Sequence, residues 1–142
     1  WGNRTTDDAP PETEALLVVL VDTSVWIDHF RKQSKQLVSL LEEEEVVMHP
    51  FVLGELACGN LQNRREIIAL LHAIPSVTQA NDDEVLFFIE RHALMGRGVG
   101  LIDLHLAASC HMDSCLLWTR DRRLKSIAEE MDIEFSQHPH GR

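Results

Sequence analysis

The sequence predicts an α/β domain in which a central parallel sheet of about five short strands is flanked by helices on both faces. Three observations carry this expectation. The run Leu16 to Val21 (LLVVLV) is continuously apolar and rich in β-branched residues, as in a strand buried on both faces of a parallel sheet. A second apolar run, CLLWT at 115–119, lies near the other end of the chain. Segments with helical spacing of apolar residues alternate with short strand-like segments between and after them, the pattern of a parallel sheet covered on both sides. At 142 residues, one domain with a single core is expected.

The elements follow in order. Residues 1–14 combine Pro-Pro, Gly and acids without periodicity, and are expected to form a disordered tail or an added linker. The domain proper is expected over 15–136, with 137–142 a frayed end. After the first strand, Thr23-Ser24 offers an N-cap for a helix through Val25, Trp26, Ile27 and Phe30. A second helix is expected from Ser34 to Glu44, then a short strand at 46–49. Pro50 suits the first turn of a helix ending near Ala57 or Cys58, with Gly59 as its stop. Further helices are expected over Asn63–Ile74, with Ile67, Ile68, Leu70 and Leu71 on its apolar, buried side, and over Asp82–Met95, Ile102–Met112 and Asp121–Met131. Short strands are expected at 76–78, 115–119 and 133–135, and GRGVG (96–100) reads as a loop. That loop lacks the G-x-G-x-x-G spacing and follows a helix rather than a strand, so it is not a dinucleotide-binding turn.

The net charge of −10 is unevenly spread. The N-terminal tail, the run Glu42 to Glu45 and four acids singled out below account for it. The remainder is close to balanced, with Arg120, Arg122, Arg123 and Lys125 clustered. A nucleic-acid partner is therefore not excluded. No apolar run approaches the ~20 residues that span a bilayer. The polar, acidic start is unlike a cleavable signal, and a cytoplasmic location is expected. Cys58, Cys110 and Cys115 fall in no ligand spacing and in apolar surroundings, so all three are expected to be buried free thiols. The eight histidines are scattered, and none is assigned to catalysis. His49, His72 and His92 are expected at the surface or boundary, and His105 on a different helix face from Asp103.

Four acids break a local rule. Asp22 closes the first strand and Asp121 follows CLLWT; each is either a cap for the next helix or an acid delivered to the carboxyl edge of a sheet, where ligand crevices lie. Asp103 has apolar neighbours expected to be buried (Ile102, Leu104, Leu106, Ala107, Ala108), where a carboxylate is costly unless paired or bound to metal. Glu55, in FVLGELACG, is either of the same kind or an exposed helix position. Four such acids together would repel one another unless cations lay between them, and hard oxygen ligands suit Mg²⁺ or Mn²⁺ better than zinc.

Four blocks in series, VLVDTSVWIDHF, HPFVLGELACGN, MGRGVGLIDLHLAAS and LLWTRDRRLKSIAEEMDIEF, each carry one of these acids. Together they resemble the VapC-type PIN domains, ribonuclease toxins of bacterial toxin–antitoxin pairs, over about residues 17–135. The resemblance implies that Asp22 and Asp103 are the principal metal ligands, that Asp121 and Glu55 complete the site, and that Thr119 lines the same pocket. Thr23 or Ser24 then either helps near the phosphate or only caps a helix. It implies a Mg²⁺- or Mn²⁺-dependent endoribonuclease leaving 5′-phosphate and 3′-hydroxyl ends, a VapB-like antitoxin partner and a homodimer. Arg97, Arg120 and Arg122 are candidates for RNA phosphate contacts. Trp26 and Trp118 are read as core. The apolar residues Trp26, Phe30, Leu37, Leu41, Phe51 and Leu53 either all belong to the core or partly form a groove for an apolar helix. The rivals are a non-catalytic binding module and a DNA nuclease with the same acids. A haloacid-dehalogenase-type phosphatase is rejected, because Ser24 stands where it would need a second Asp.

Overall fold

The computed structural model describes residues 17–136; the tails expected at 1–14 and 137–142 lie outside them. β1 (Val19–Val21) is buried along its whole length, as its unbroken apolar run requires. It is the middle of a parallel sheet, with β2 (Val46–Val47) on one side and β3 (Leu116–Trp118) on the other. Val19 pairs with Val46 and with Leu116, so the three strands begin level, and β2 ends one residue before the other two.

The two remaining expected strands are single bridges, Met48 with Ser76 and Leu117 with Glu134, one outside each flanking strand. Local backbone explains why neither grows longer. Pro75 has no N–H to extend the ladder behind Ser76, and Asp132, just before the second segment, is left-handed at φ 61°.

Helices fill the crossovers. Between β1 and β2 lie α1 (Thr23–Arg31) and α2 (Lys35–Glu42); between β2 and β3 lie α3 (Pro50–Ala57), α4 (Arg64–His72), α5 (Asp82–Arg91) and α6 (Leu101–Asp113); α7 (Arg122–Glu130) follows β3. Their starts are chemically marked. Ser34 caps α2 through its hydroxyl, which accepts from Leu37 N–H, and Asn81 and Glu84 form a reciprocal capping box on α5. α1 is capped by Asp22 rather than by Thr23 or Ser24. α2 stops short of Glu44 because Glu44 turns left-handed at φ 58°, and α5 stops at Arg91 because Ala93 does the same at φ 54°.

The core gathers around β1 and α6. Leu104 through Cys110 are all buried, so α6 is enclosed on every side rather than amphipathic. Trp26 and Trp118 are core residues, as expected. Four expectations of burial are corrected. Cys58 is exposed at the end of α3, leaving Cys110 and Cys115 as the buried free thiols. His49, expected near the surface, is fully buried, because its Nδ1 accepts from Phe51 N–H (2.9 Å) and so starts α3 from inside. Ile102 and Leu70 are exposed, each on the outward side of its helix. Among the described residues no helix is long and apolar enough to cross a membrane.

Candidate active site

Because the chain leaves β1 toward β2 on one side and returns to β3 on the other, a crevice opens where the carboxyl ends of β1 and β3 diverge. Open α/β sheets bind ligands at such switch points. Asp22 and the segment Thr119–Asp121 both emerge there, and Asp22 N–H donates to Trp118 C=O across the two strand ends (2.9 Å).

Asp22 is buried, with 6% of its surface exposed, and it is held by three donors. Its Oδ1 accepts from Thr23 N–H (2.8 Å), and its Oδ2 accepts from the hydroxyls of Ser24 (2.9 Å) and Thr119 (2.7 Å). Each hydroxyl is fixed from its other side. Ser24 Oγ accepts from Arg120 N–H and Thr119 Oγ1 from Asp121 N–H. Two hydroxyl relays therefore tie the first strand's acid to the backbone after the last. Asp22 is at once the cap of α1 and the centre of this network; the two readings open at the sequence level are compatible.

Asp121 likewise caps α7 with Oδ1, which accepts from Leu124 N–H (2.9 Å), and sits exposed at the crevice mouth. Glu55, on α3, is exposed, and its Oε1 accepts from the Thr23 hydroxyl (2.6 Å). Asp103 stands in the first turn of α6, partly buried. Burial pushes its carboxyl up to about 6, and the charges of Asp22, Asp121 and Glu55 push the same way. The structure thus brings all four predicted acids into one electrostatic neighbourhood. No Lys or Arg pairs with any of them among the described residues.

An all-carboxylate donor set with uncompensated charge fits a hard divalent cation. Among the described residues, however, no three such side chains already close on one point. Hydroxyls hold two of the acids: Thr23 holds Glu55, while Ser24 and Thr119 hold Asp22.

The predicted cations divide. Arg97 is not brought to the site. Its guanidinium forks onto Glu130 (2.6 and 3.1 Å) at the last residue of α7, about 13 Å along the helix from its Asp121 end. Arg120 reaches the crevice rim through its backbone, but its guanidinium pairs with Asp28 of α1. Arg122 is exposed and makes no ion pair among the described residues. Sequence reasoning missed Asp28, Glu130 and Glu134. Their roles depend on contacts between distant segments, for which local pattern carries no signal.

The family model of the PIN domain matches residues 19–130, almost the whole described chain. The chain is a PIN domain. It is 39% identical over 121 residues to Ribonuclease VapC32 of Mycobacterium tuberculosis, strain CDC 1551 / Oshkosh, covering 84% of this chain and 98% of that protein. The protein of the same name from strain ATCC 25618 / H37Rv matches equally. The PIN fold is also that of VapBC-1 from nontypeable Haemophilus influenzae, with a TM-score of 0.63 at 18% identity over 84% of this chain and 97% of that one. This PIN domain keeps an acid in each of the four blocks by which its sequence resembled the family.

Proposed function

We infer that this PIN domain is a divalent-metal-dependent endoribonuclease of the toxin type, hydrolysing RNA phosphodiesters to 5′-phosphate and 3′-hydroxyl ends. The observation that carries the reading is Asp22, buried at the switch point, locked by two hydroxyl relays and faced by Asp103, Asp121 and Glu55. The relatives named ribonucleases support RNA as the substrate. A Mg²⁺ or Mn²⁺ ion held by Asp22 and Asp103, with Asp121 and Glu55 completing its shell, would supply an activated water and charge stabilisation for in-line displacement at phosphorus. Thr119 and Ser24 fix the orientation of the Asp22 carboxylate. Thr23 positions Glu55. Asp121 keeps Oδ1 on the Leu124 amide of α7.

Restraint by a VapB-like antitoxin is part of the same reading. A groove of about 580 Å³ runs between α1, α3 and the start of α4, lined by Ile27, Phe30, Leu56, Leu61 and Ile67, and it opens onto Glu55. An apolar peptide helix lying there would end beside the carboxylates. A homodimer is proposed through α5, where Leu86 and Phe87 are 61% and 70% exposed. The acidic first turn of α5 and Arg91 in its last would meet across a two-fold axis. Light scattering that finds only monomer at micromolar concentration would count against it. A cytoplasmic location fits the buried free thiols Cys110 and Cys115.

The test compares wild type with Asp22→Asn on structured RNAs and matched DNAs, with Mg²⁺ or Mn²⁺ and then EDTA, mapping the ends. Metal-dependent RNA cleavage that vanishes in Asp22→Asn and leaves 5′-phosphates is the expected result. Equal activity in both proteins would overturn the site, and preference for DNA would overturn the substrate.

A further inference from the structure

A second cavity, of about 310 Å³, adjoins the carboxylate crevice and shares Thr119 with it. Its walls come from the end of β3, the start of α7 and the segment that bridges to Leu117. In a chain of net charge −10 its walls carry Arg122, Lys125 beside Glu134, and Arg120, whose guanidinium pairs with Asp28. Phe135 packs against Trp118 with ring centroids 5.0 Å apart and the planes tilted by 45°, giving the cavity an aromatic wall. Lys125 and Glu134 face each other at 3.8 Å, a loose pair that a ligand can part.

These groups are the complement of one nucleotide. A phosphate calls for cations. A base calls for an aromatic face and for polar groups of both signs at its edge. Guanine alone presents two adjacent donors, N1–H and N2–H₂, which match the two oxygens of a carboxylate. The cavity size suits a single nucleotide, at the small end of ligand pockets. Thr119 also ties the cavity to catalysis, since its hydroxyl donates to Asp22.

The geometry points to a guanosine subsite beside the scissile bond, with Arg122 and Lys125 on the phosphate, Phe135 on the base face and Glu134 on its donor edge. This rests on the ribonuclease reading and deepens it, since the subsite would set where RNA is cut.

The first arm measures amide shifts of the labelled full chain with the four 5′-mononucleotides and with inorganic phosphate, all in EDTA, so that no cation bridges to the carboxylates. Guanosine monophosphate is expected to bind tightest, with shifts confined to residues 119–125 and 133–136. Arg122→Ala and Lys125→Ala should each weaken every nucleotide by about tenfold. Glu134→Gln should abolish the guanine preference while leaving the others' affinity in place. Equal binding of the four nucleotides, phosphate binding as well as guanosine monophosphate, shifts elsewhere or no binding would each overturn the subsite.

The second arm maps cut sites on RNA. Guanosine next to the cut in wild type, lost in Glu134→Gln, places the subsite on the substrate strand. Guanosine monophosphate binding without guanosine at the cuts would overturn that placement. The two readings fail separately: a wild type that cleaves RNA but ignores mononucleotides loses only the subsite, and one that binds them but never cleaves loses the ribonuclease.

Discussion

Thr119 shows how much one hydroxyl can organise. It donates to the buried Asp22 carboxylate and accepts from the Asp121 amide, so replacing it by the isosteric Val leaves an acceptor and a donor short of partners. Thr119→Val is expected to lower unfolding free energy by about 1–3 kcal/mol in urea titrations and to depress RNA cleavage, because Asp22 loses its orientation. His49 and Asp103 give a second residue-scale prediction with opposite signs. Burial and then His105 depress His49 to about 4 from 6.5, and its cap on α3 uses the unprotonated Nδ1. As pH falls from 6.5 toward 4 the unfolded chain binds a proton that the folded chain refuses, so stability is lost. Asp103 is raised to about 6 from 3.8, so as pH rises from 3.8 toward 6 the unfolded chain ionises first and stability is also lost. The two windows overlap and the slopes oppose. Denaturation at pH 4 to 7 should therefore show a shallow dependence in wild type. His49→Asn, which keeps a capping side chain, should leave stability falling with rising pH, and Asp103→Asn should leave it rising. Equal profiles in all three proteins would overturn the assignment.

At the scale of elements, several helix starts were legible because each rests on near neighbours, whereas the α1 cap fell to Asp22 rather than to Thr23 or Ser24. Ser34, Asn81 with Glu84, and Pro50 mark helix starts by chemistry that acts within four residues. The helix ends at Glu42 and Arg91 were less legible, since nothing in Glu44 or Ala93 announces a left-handed backbone. The same limit hid His49: its burial follows from where β2 delivers it, and a histidine looks the same in sequence at a surface cap or an inner one. The loop before α6 offers an element-scale test. Gly98 has φ +79°, and a Cβ there would come within 2.7 Å of the Arg123 guanidinium, which itself reaches back to Gly98 C=O. Gly98→Ala is thus expected to cost at least about 1 kcal/mol, measured by thermal unfolding. Gly96→Ala, at φ +73° with open space around it, isolates the backbone share of that cost.

For the whole molecule, the four blocks in order identified the family, and Asp22 and Asp103 stood out as acids among apolar neighbours, whereas Glu55 and Asp121 are exposed. Their arrangement was not legible: that Thr23 holds Glu55, and that Arg97 turns to Glu130, depends on packing between segments distant in sequence. The like charges collected at the crevice predict that a divalent ion stabilises the fold. Mn²⁺ at a hundred times its dissociation constant should add about 2.7 kcal/mol, seen as a rise in Tm that EDTA reverses and that Asp103→Asn greatly reduces. An unchanged Tm with saturating Mn²⁺ would remove the ion from the site. The sheet order carries one more consequence. Asp22 lies near the start of the chain, yet the hydroxyl that orients it comes from Thr119, 97 residues later, on a strand that pairs directly with β1. A nascent chain on the ribosome accordingly has its first acid early and its site only after β3 has emerged and docked, because that pairing waits on the most distant contact in the sheet. Synthesis itself thus sets the order of assembly: a chain that stops short of Thr119 lacks the hydroxyl that orients Asp22.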